Sequence, residues 1–161
     1  MGNSTHFKNP ISKNKFRNLN LNQQWKKNQN QKVQMATILT CDIRKSVELM
    51  KMAKSPHHFA RFLITITKSL EKIIKEHGGI FDKFTGDGIL AYFPKPISGD
   101  KHLLKAIEAA KAIQLECKNL FLNLEDHFKY PPTIGLGIGI ESGEICIEKF
   151  NAEYLIKEVG S

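Results

Sequence analysis

The chain has 161 residues, of which 41% are apolar and 25% charged, a balance that supports one packed domain and excludes disorder over the whole length. No run of 18 apolar residues occurs, which argues against a membrane-spanning helix, and the first residues lack the apolar stretch of a secretion signal. We therefore expect a cytoplasmic protein. Three widely spaced cysteines, Cys41, Cys117 and Cys146, fit neither a disulfide framework nor a zinc site and are predicted to be reduced thiols.

The net charge of +8 is concentrated at the beginning of the chain. Residues 1–34 contain seven Lys or Arg and no acid, whereas the remaining 127 residues contain 17 basic and 16 acidic side chains. Eight Asn and four Gln in residues 1–32, with sparse apolar residues, predict a disordered basic arm. The favoured interpretation is a solvated connector; contact with a polyanion such as nucleic acid or anionic lipid is the alternative. Residues 33–161 then form the domain.

The first half of this domain predicts a strand, a helix and a hairpin. Residues 33–43 are rich in β-branched and apolar side chains, which favours a strand. Ser55-Pro56 is a typical helix start, apolar residues then recur at helical spacing, and Gly78-Gly79 ends the helix. Residues 80–85 and 88–93 are predicted to be two strands that flank Gly86-Asp87-Gly88.

The second half predicts another helix and another hairpin. The helix starts near Ser98 or Asp100, and residues 133–140 alternate apolar side chains with glycines. Ser142-Gly143 is predicted as a turn, with residues 144–148 as the hairpin partner. The order β-α-β-β-α-β-β is that of an α+β, ferredoxin-like split βαβ fold, an antiparallel sheet with helices on one face.

Three glycines, at positions 135, 137 and 139, alternate within that later strand. Their spacing does not match G-x-G-x-x-G before a helix, so a phosphate loop is not predicted. We expect them instead to allow a helix to pack closely over the strand.

Two acids are candidates for the chemistry. Asp42 ends the first strand and Asp87 lies at the tip of the first hairpin; in a split βαβ sheet these points share one edge. Two carboxylates about 4 Å apart repel by roughly 4 kcal/mol at an effective dielectric of 20, and a divalent cation such as Mg²⁺ or Mn²⁺ relieves this repulsion. Mg²⁺ often binds through one or two carboxylates and substrate phosphates, which points to a nucleoside triphosphate. The alternative is that Asp42 caps the next helix and Asp87 only forms the turn.

Four segments together resemble a known family. They are A-T-I-L-T-C-D-I-R-K-S, G-G-I-F-D-K-F-T-G-D-G-I-L-A-Y-F, D-K-H-L-L-K-A-I-E-A-A-K-A-I-Q and I-G-L-G-I-G-I-E-S-G-E. From about residue 35 onward they are similar, in order and spacing, to the class III adenylate/guanylate cyclase catalytic domain. The fold of that family agrees with the sheet predicted above.

The resemblance implies a metal site. Asp42 and Asp87 match the two catalytic aspartates that bind a pair of divalent ions, Mg²⁺ or Mn²⁺. Ile43 matches the residue whose backbone carbonyl adds a ligand.

The resemblance also implies a substrate site. Ser46 matches a hydroxyl residue that faces the phosphates, and Gly86 lies in the hairpin that is placed with the substrate. Lys83 matches the purine-reading position, where lysine usually accompanies ATP and glutamate GTP. A lysine ammonium can donate to adenine N1, whereas the guanine N1–H needs an acceptor.

The implied function is adenylate cyclase activity in cyclic-nucleotide signalling, conversion of ATP to cyclic AMP and pyrophosphate, with a second cyclase domain completing the site. The family's V-N-x-A-x-R helix does not occur before Ser161, so we expect an incomplete domain with poor turnover. Arg44 and Lys45 are then alternative sources of positive charge. Two other functions stay open: a non-catalytic nucleotide-binding or dimerisation module, and an RNA-binding ferredoxin-like domain. Residues 88–93 do not match the RNA-binding strand K/R-G-F/Y-G/A-F-V-x-F/Y.

Overall fold

The computed structural model describes residues 33–123, 125–130, 132–133, 135–150 and 153–158. The predicted basic arm, residues 1–32, lies outside these ranges. The elements, in chain order, are β1 (Val33–Ile43), α1 (Ser46–Met52), α2 (Pro56–Glu76), β2 (Ile80–Phe84), β3 (Gly88–Pro94), α3 (Lys95–Ser98), α4 (His102–Asn123), a 3₁₀ turn (Glu125–His127), β4 (Leu136–Phe150) and β5 (Glu153–Glu158).

The strands form one antiparallel sheet in the order β2-β3-β1-β4-β5. β1 lies in the centre, between β3 and β4, as the split βαβ pattern requires. The predicted α+β class is confirmed. Within the ranges that the structure describes, no helix has the length and apolar character needed to cross a membrane.

Helix α2 begins and ends where the sequence predicts. The Ser55 side chain accepts a hydrogen bond from the backbone N–H of His58 at 3.3 Å, and Pro56 takes the first helical position. The helix ends before Gly78, whose φ of +76° suits glycine. A Cβ on Gly79 would lie 2.7 Å from the ring of Phe93, so this glycine lets the chain turn tightly against the sheet.

Alternation along β1 gives the sheet two different faces. Leu39, Cys41 and Ile43 point towards α2 and α4 and belong to the main apolar core; we call this the helix face. The other side, which we call the opposite face, carries a smaller apolar cluster of Ala36, Ile38, Tyr92 and Ile145. The main core is completed by α2, α4 and β3 side chains, including Phe62, Ile66, Leu70, Ile74, Ile89, Phe93, Ala106, Ala109 and Ile113.

The predicted turn at Ser142-Gly143 is wrong. β4 runs unbroken from Leu136 to Phe150, and Ser142 and Gly143 pair with Thr37 and Ala36 of β1. The Ser142 hydroxyl is 2.7 Å from the hydroxyl of Thr37, so this residue contributes to the strand pairing. Residues 144–148 therefore continue β4, and the strand that pairs with β4 at its far end is β5. A continuous partner strand, β1, overrides the local turn preference of Ser-Gly.

Two helical segments differ from prediction. The second long helix starts at His102, later than predicted, because the short helix α3 and Gly99 at φ +76° precede it. Helix α1, which begins shortly after the end of β1 at Ile43, was not predicted from the sequence. Its seven residues are too few to show a clear apolar period.

Candidate active site

Asp42 lies at the end of β1 on the opposite face, directly across from Gly88 of β3. A Cβ on Gly88 would lie 2.7 Å from the backbone carbonyl oxygen of Cys41, so glycine is needed for the hairpin to lie this close to β1. The pairing of β1 with β3 thus brings the residue after Asp87 alongside Asp42, as the sequence predicts.

Asp87 is tied to the segment that follows Asp42. The backbone N–H of Ile43 donates to the carbonyl oxygen of Asp87 at 3.1 Å, and the Ser46 hydroxyl donates to the Asp87 carboxylate. Gly86, at φ +89°, forms the tight hairpin tip. The structure therefore places four of the predicted site residues, Ile43, Ser46, Gly86 and Asp87, in one small region at the end of β1.

The alternative role of Asp42 as a helix cap is wrong. The N-cap of α1 is Lys45, in the left-handed conformation at φ 58°, and no side chain caps the helix there. The Asp42 carboxylate instead lies 3.5 Å from the Arg44 guanidinium. The Arg44 contact was not predicted, although residues two apart in an extended chain point to the same side.

The glycines of β4 were predicted to allow close packing of a helix over the strand, and this prediction is wrong. Gly137 and Gly139 pair with Asp42 and Thr40 and lie on the opposite face, while their neighbours Leu136 and Ile138 pack towards the helices. A Cβ on Gly137 would collide with the Asp42 carboxylate, and a Cβ on Gly139 would lie 2.7 Å from the Thr40 hydroxyl. These glycines make room for the polar residues of β1.

Lys83 reaches the opposite face because β2 contains a bulge. Phe81 pairs with Ala91, and one extra residue follows, so that Lys83 pairs with Leu90. Without the extra residue Lys83 would pair with Ile89, which faces the helices. The bulge therefore sets Lys83 on the same face as Asp42, two strands away, which is roughly 10 Å across the sheet.

Similarity to known proteins identifies the family to which the chain belongs. A curated adenylate cyclase of Anabaena cylindrica is 35% identical over 113 residues, which are 69% of this chain and 21% of that protein. The crystal structure of the guanylyl cyclase Cya2 superimposes with a TM-score of 0.68 and 27% identity, over 80% of this chain and 65% of that one. The chain belongs to the class III adenylyl and guanylyl cyclase family.

A further solved structure has the same fold as this cyclase domain. The adenylyl cyclase CyaB from P. aeruginosa gives a TM-score of 0.69 at 23% identity, covering 78% of this chain and 66% of that one. The chain thus spans 21% of the curated relative and 66% and 65% of the two solved chains. No family model matches the sequence.

Burial shifts the pKa of two side chains beside the candidate site. Burial raises the pKa of the Cys41 thiol to about 12, and the neighbouring Asp42 carboxylate adds to the increase. Burial also raises the pKa of Asp82 at the bulge, while the adjacent Lys83 ammonium partly lowers it. Cys41 is therefore a neutral core residue at physiological pH, although it immediately precedes Asp42.

The donor set at this end of the sheet suits a hard divalent cation. The described residues contain no cluster of three or more His, Cys, Asp or Glu side chains, so a fully protein-built metal cage is not present among them. Two carboxylates, Asp42 and Asp87, match the way in which Mg²⁺ binds, through one or two carboxylates together with water and substrate phosphates. Both carboxylates have polar neighbours, Arg44 and Ser46 respectively. The residues fit the expected metal.

The pocket below Asp87 is small and apolar. It lies between the sheet and α2, is lined by residues such as Cys41, Ile66 and Leu70, and has a cavity volume of about 10 Å³. Small-molecule sites usually enclose about 300–1,000 Å³. This pocket is therefore too small for a nucleoside triphosphate.

Proposed function

We propose that this domain is an adenylate-type nucleotidyl cyclase, which converts ATP to cyclic AMP and pyrophosphate. The observation that carries the proposal is the link from Asp87 to Ile43 and Ser46, because it holds the hairpin tip against the end of β1 that bears Asp42. Membership of the cyclase family supports the same chemistry.

Asp42 and Asp87 would hold two divalent ions, Mg²⁺ or Mn²⁺, with the Ile43 backbone carbonyl as a further ligand. Such ions would neutralise the triphosphate and favour ionisation of the ribose 3′-hydroxyl. Ser46 orients the Asp87 carboxylate through its hydrogen bond and, from the same loop, would face the phosphates together with Gly86.

The choice of ATP rests on Lys83. An ammonium group only donates hydrogen bonds, so it suits the adenine N1 acceptor and not the guanine N1–H. Lys83 is exposed on the opposite face and is free of the core packing that fixes Phe81 and Phe84. Both adenylate and guanylyl cyclases occur among the relatives, so family membership supports a cyclase of either kind. The selection of adenine over guanine therefore rests on Lys83.

We further propose that a second cyclase domain completes the site. Within one chain Lys83 lies two strands from Asp42. A head-to-tail dimer would bring the Lys83 of one copy to the aspartates of the other. Activity should then rise more steeply than linearly with protein concentration below the dissociation constant of the dimer.

The direct test is production of cyclic AMP from Mn²⁺–ATP at high protein concentration, measured by mass spectrometry. We expect a low but definite rate that Asp42→Asn and Asp87→Asn abolish. Equal rates in the parent and both variants would contradict the proposal. If Mn²⁺–ATP binds to the parent with no cyclic AMP, the alternative of a non-catalytic nucleotide-binding module takes its place.

The base preference is tested by Lys83→Glu. We expect the ratio of kcat/KM for ATP to that for GTP to fall by about tenfold or more, because a carboxylate accepts from guanine and repels the adenine N1 lone pair. Lys68→Glu, with the same charge change on the exposed side of α2, is the matched control. If both variants shift the ratio equally, Lys83 does not read the base.

A further inference from the structure

The Arg44 side chain lies over two glycines, Gly135 and Gly137, beside Asp42. Its backbone N–H donates to the carbonyl oxygen of Gly135 at 2.8 Å. A Cβ on Gly135 would meet the start of the Arg44 side chain at 3.8 Å, and a Cβ on Gly137 would collide with Nη2 of Arg44. The side chain thus runs over β4 from Gly135 to Gly137, and the absence of a side chain at Gly137 gives the guanidinium its place next to Asp42.

The same guanidinium is the positive partner of the candidate metal ligand. It lies 3.5 Å from the Asp42 carboxylate, and the two side chains are 65% and 51% exposed. An exposed pair of this kind is weak, so a divalent cation can displace it. It places a positive charge beside Asp42, at the end of β1 that Asp87 approaches through its backbone bond to Ile43.

We propose that Arg44 is an exchangeable counter-ion: it pairs with Asp42 while no metal is bound, releases this carboxylate to a divalent cation, and then binds the triphosphate. The inference rests on the proposed function, since it takes Asp42 as a metal ligand. It assigns a phosphate-binding role to a residue outside the metal-binding and base-reading set. A guanidinium fork matches the two oxygens of a carboxylate and of a phosphate equally well, which makes the exchange chemically simple.

The exchange predicts opposite effects of one substitution on two binding steps. Without Arg44, Mn²⁺ no longer competes with an internal cation, so its affinity should rise. The metal-loaded protein, however, loses a phosphate donor, so its affinity for a triphosphate should fall. A purely structural role for Arg44 would weaken both steps together.

The first measurement is Mn²⁺ affinity without nucleotide, from the free Mn²⁺ signal in electron paramagnetic resonance. We expect Arg44→Gln to bind Mn²⁺ about two- to fivefold more tightly than the parent, the range that an exposed ion pair allows. Arg44→Lys, which keeps the charge, should remain near the parent. Lys45→Gln is the control for net charge, because Lys45 is adjacent but lies 3.7 Å from Glu48; it should change the affinity clearly less.

The second measurement is binding of Mn²⁺–tripolyphosphate in excess Mn²⁺, by titration calorimetry. Arg44→Gln should weaken this step by about tenfold, as expected for the loss of a charge-assisted hydrogen bond. Arg44→Met serves as a second variant, because it preserves an unbranched stem over the glycines and removes only the charge. It should show the same pair of opposite shifts if Arg44→Gln disturbs folding.

Asp42→Asn distinguishes failure of the counter-ion proposal from failure of the proposed metal site. If Asp42→Asn weakens Mn²⁺ binding but the Arg44 variants leave it unchanged, the counter-ion proposal is wrong and the proposed metal site stands. If Asp42→Asn and Asp87→Asn both leave Mn²⁺ affinity unchanged, the metal site and the counter-ion proposal are both wrong. Shifts of the same sign in both binding steps would also overturn the proposal.

Discussion

The two faces of the central strand have opposite roles, although their residues alternate along one segment of chain. On the helix face, Cys41 and Ile43 are buried at 2% and 5% exposure; between them, on the opposite face, the Asp42 side chain is 51% exposed. The helix face is continuous apolar packing, whereas the end of the opposite face combines charged side chains with glycines. A single strand can therefore carry core packing on one side and a candidate metal ligand on the other, and substitutions on the two sides should have separable effects.

The largest expected difference is in the rates at which a thiol reagent modifies the three cysteines. Burial raises the pKa of both Cys41 and Cys117 to about 12 from 9.0, which reduces the thiolate fraction at pH 8 about a thousandfold. In the folded protein at pH 8, a thiol reagent should therefore modify the half-buried Cys146 long before the other two, as followed by mass spectrometry. Rapid labelling of Cys41 would show that the helix face opens beside the site.

The same thiols predict how stability depends on pH. Their pKa values are higher in the folded than in the unfolded chain, so their contribution to stability is complete below about pH 9 and is lost between about pH 9 and 12. Denaturant unfolding of Cys41→Ala should show a smaller loss of stability over this interval than the parent. An identical pH dependence would mean that Cys41 is not buried as described.

Truncating a large buried side chain on the helix face should lower the free energy of unfolding far more than a substitution at the candidate site. Phe62 is fully buried and packs edge-on against Phe128, with 5.0 Å between ring centroids. We expect Phe62→Ala to lower the free energy of unfolding by about 3–5 kcal/mol. Asp42→Asn, on the other face, should change it by less than about 1 kcal/mol. Comparable losses in denaturant titrations would break the division between the faces.

Two glycines on the opposite face should respond differently to substitution by alanine. A Cβ on Gly88 would contact the Cys41 carbonyl oxygen at 2.7 Å, whereas nothing lies within 4 Å of a Cβ on Gly143. We expect Gly88→Ala to destabilise the protein by about 1–3 kcal/mol, because the hairpin must move away from β1. Gly143→Ala should be neutral or stabilise it by up to about 1 kcal/mol, through the unfolded chain.

A smaller loss of stability than for Phe62→Ala or Gly88→Ala is expected at the link between hairpin and loop. Ser46→Ala removes the hydroxyl that donates to the Asp87 carboxylate and should lower the free energy of unfolding by about 0.5–1.5 kcal/mol. Ser46→Thr keeps the donor and is the matched control. If Ser46→Ala has no effect on unfolding and none on Mn²⁺ affinity, the hydrogen bond does not hold Asp87 in place.

Much of the fold follows from local sequence signals. The bounds of β1 and the start of α2 agree with prediction, because β-branched alternation and a Ser-Pro start act over a few residues. The turn at Ser142-Gly143 failed for the opposite reason: pairing with Thr37 and Ala36, over a hundred residues away in sequence, outweighs a local preference. The proximity of Asp87 to the end of β1 was predictable once the order of strands indicated the topology.

The sequence by itself determined the class of the fold, the alternation that separates Cys41 from Asp42, and the residues that resemble the cyclase site. Only the tertiary structure decided that a bulge after Phe81 brings Lys83 to the face of Asp42, and that Gly137 receives the Arg44 guanidinium instead of a helix. The reason is physical: periodicity reports which side chains share a face of one element, whereas register and close approach depend on the neighbouring strand, which lies far away along the chain.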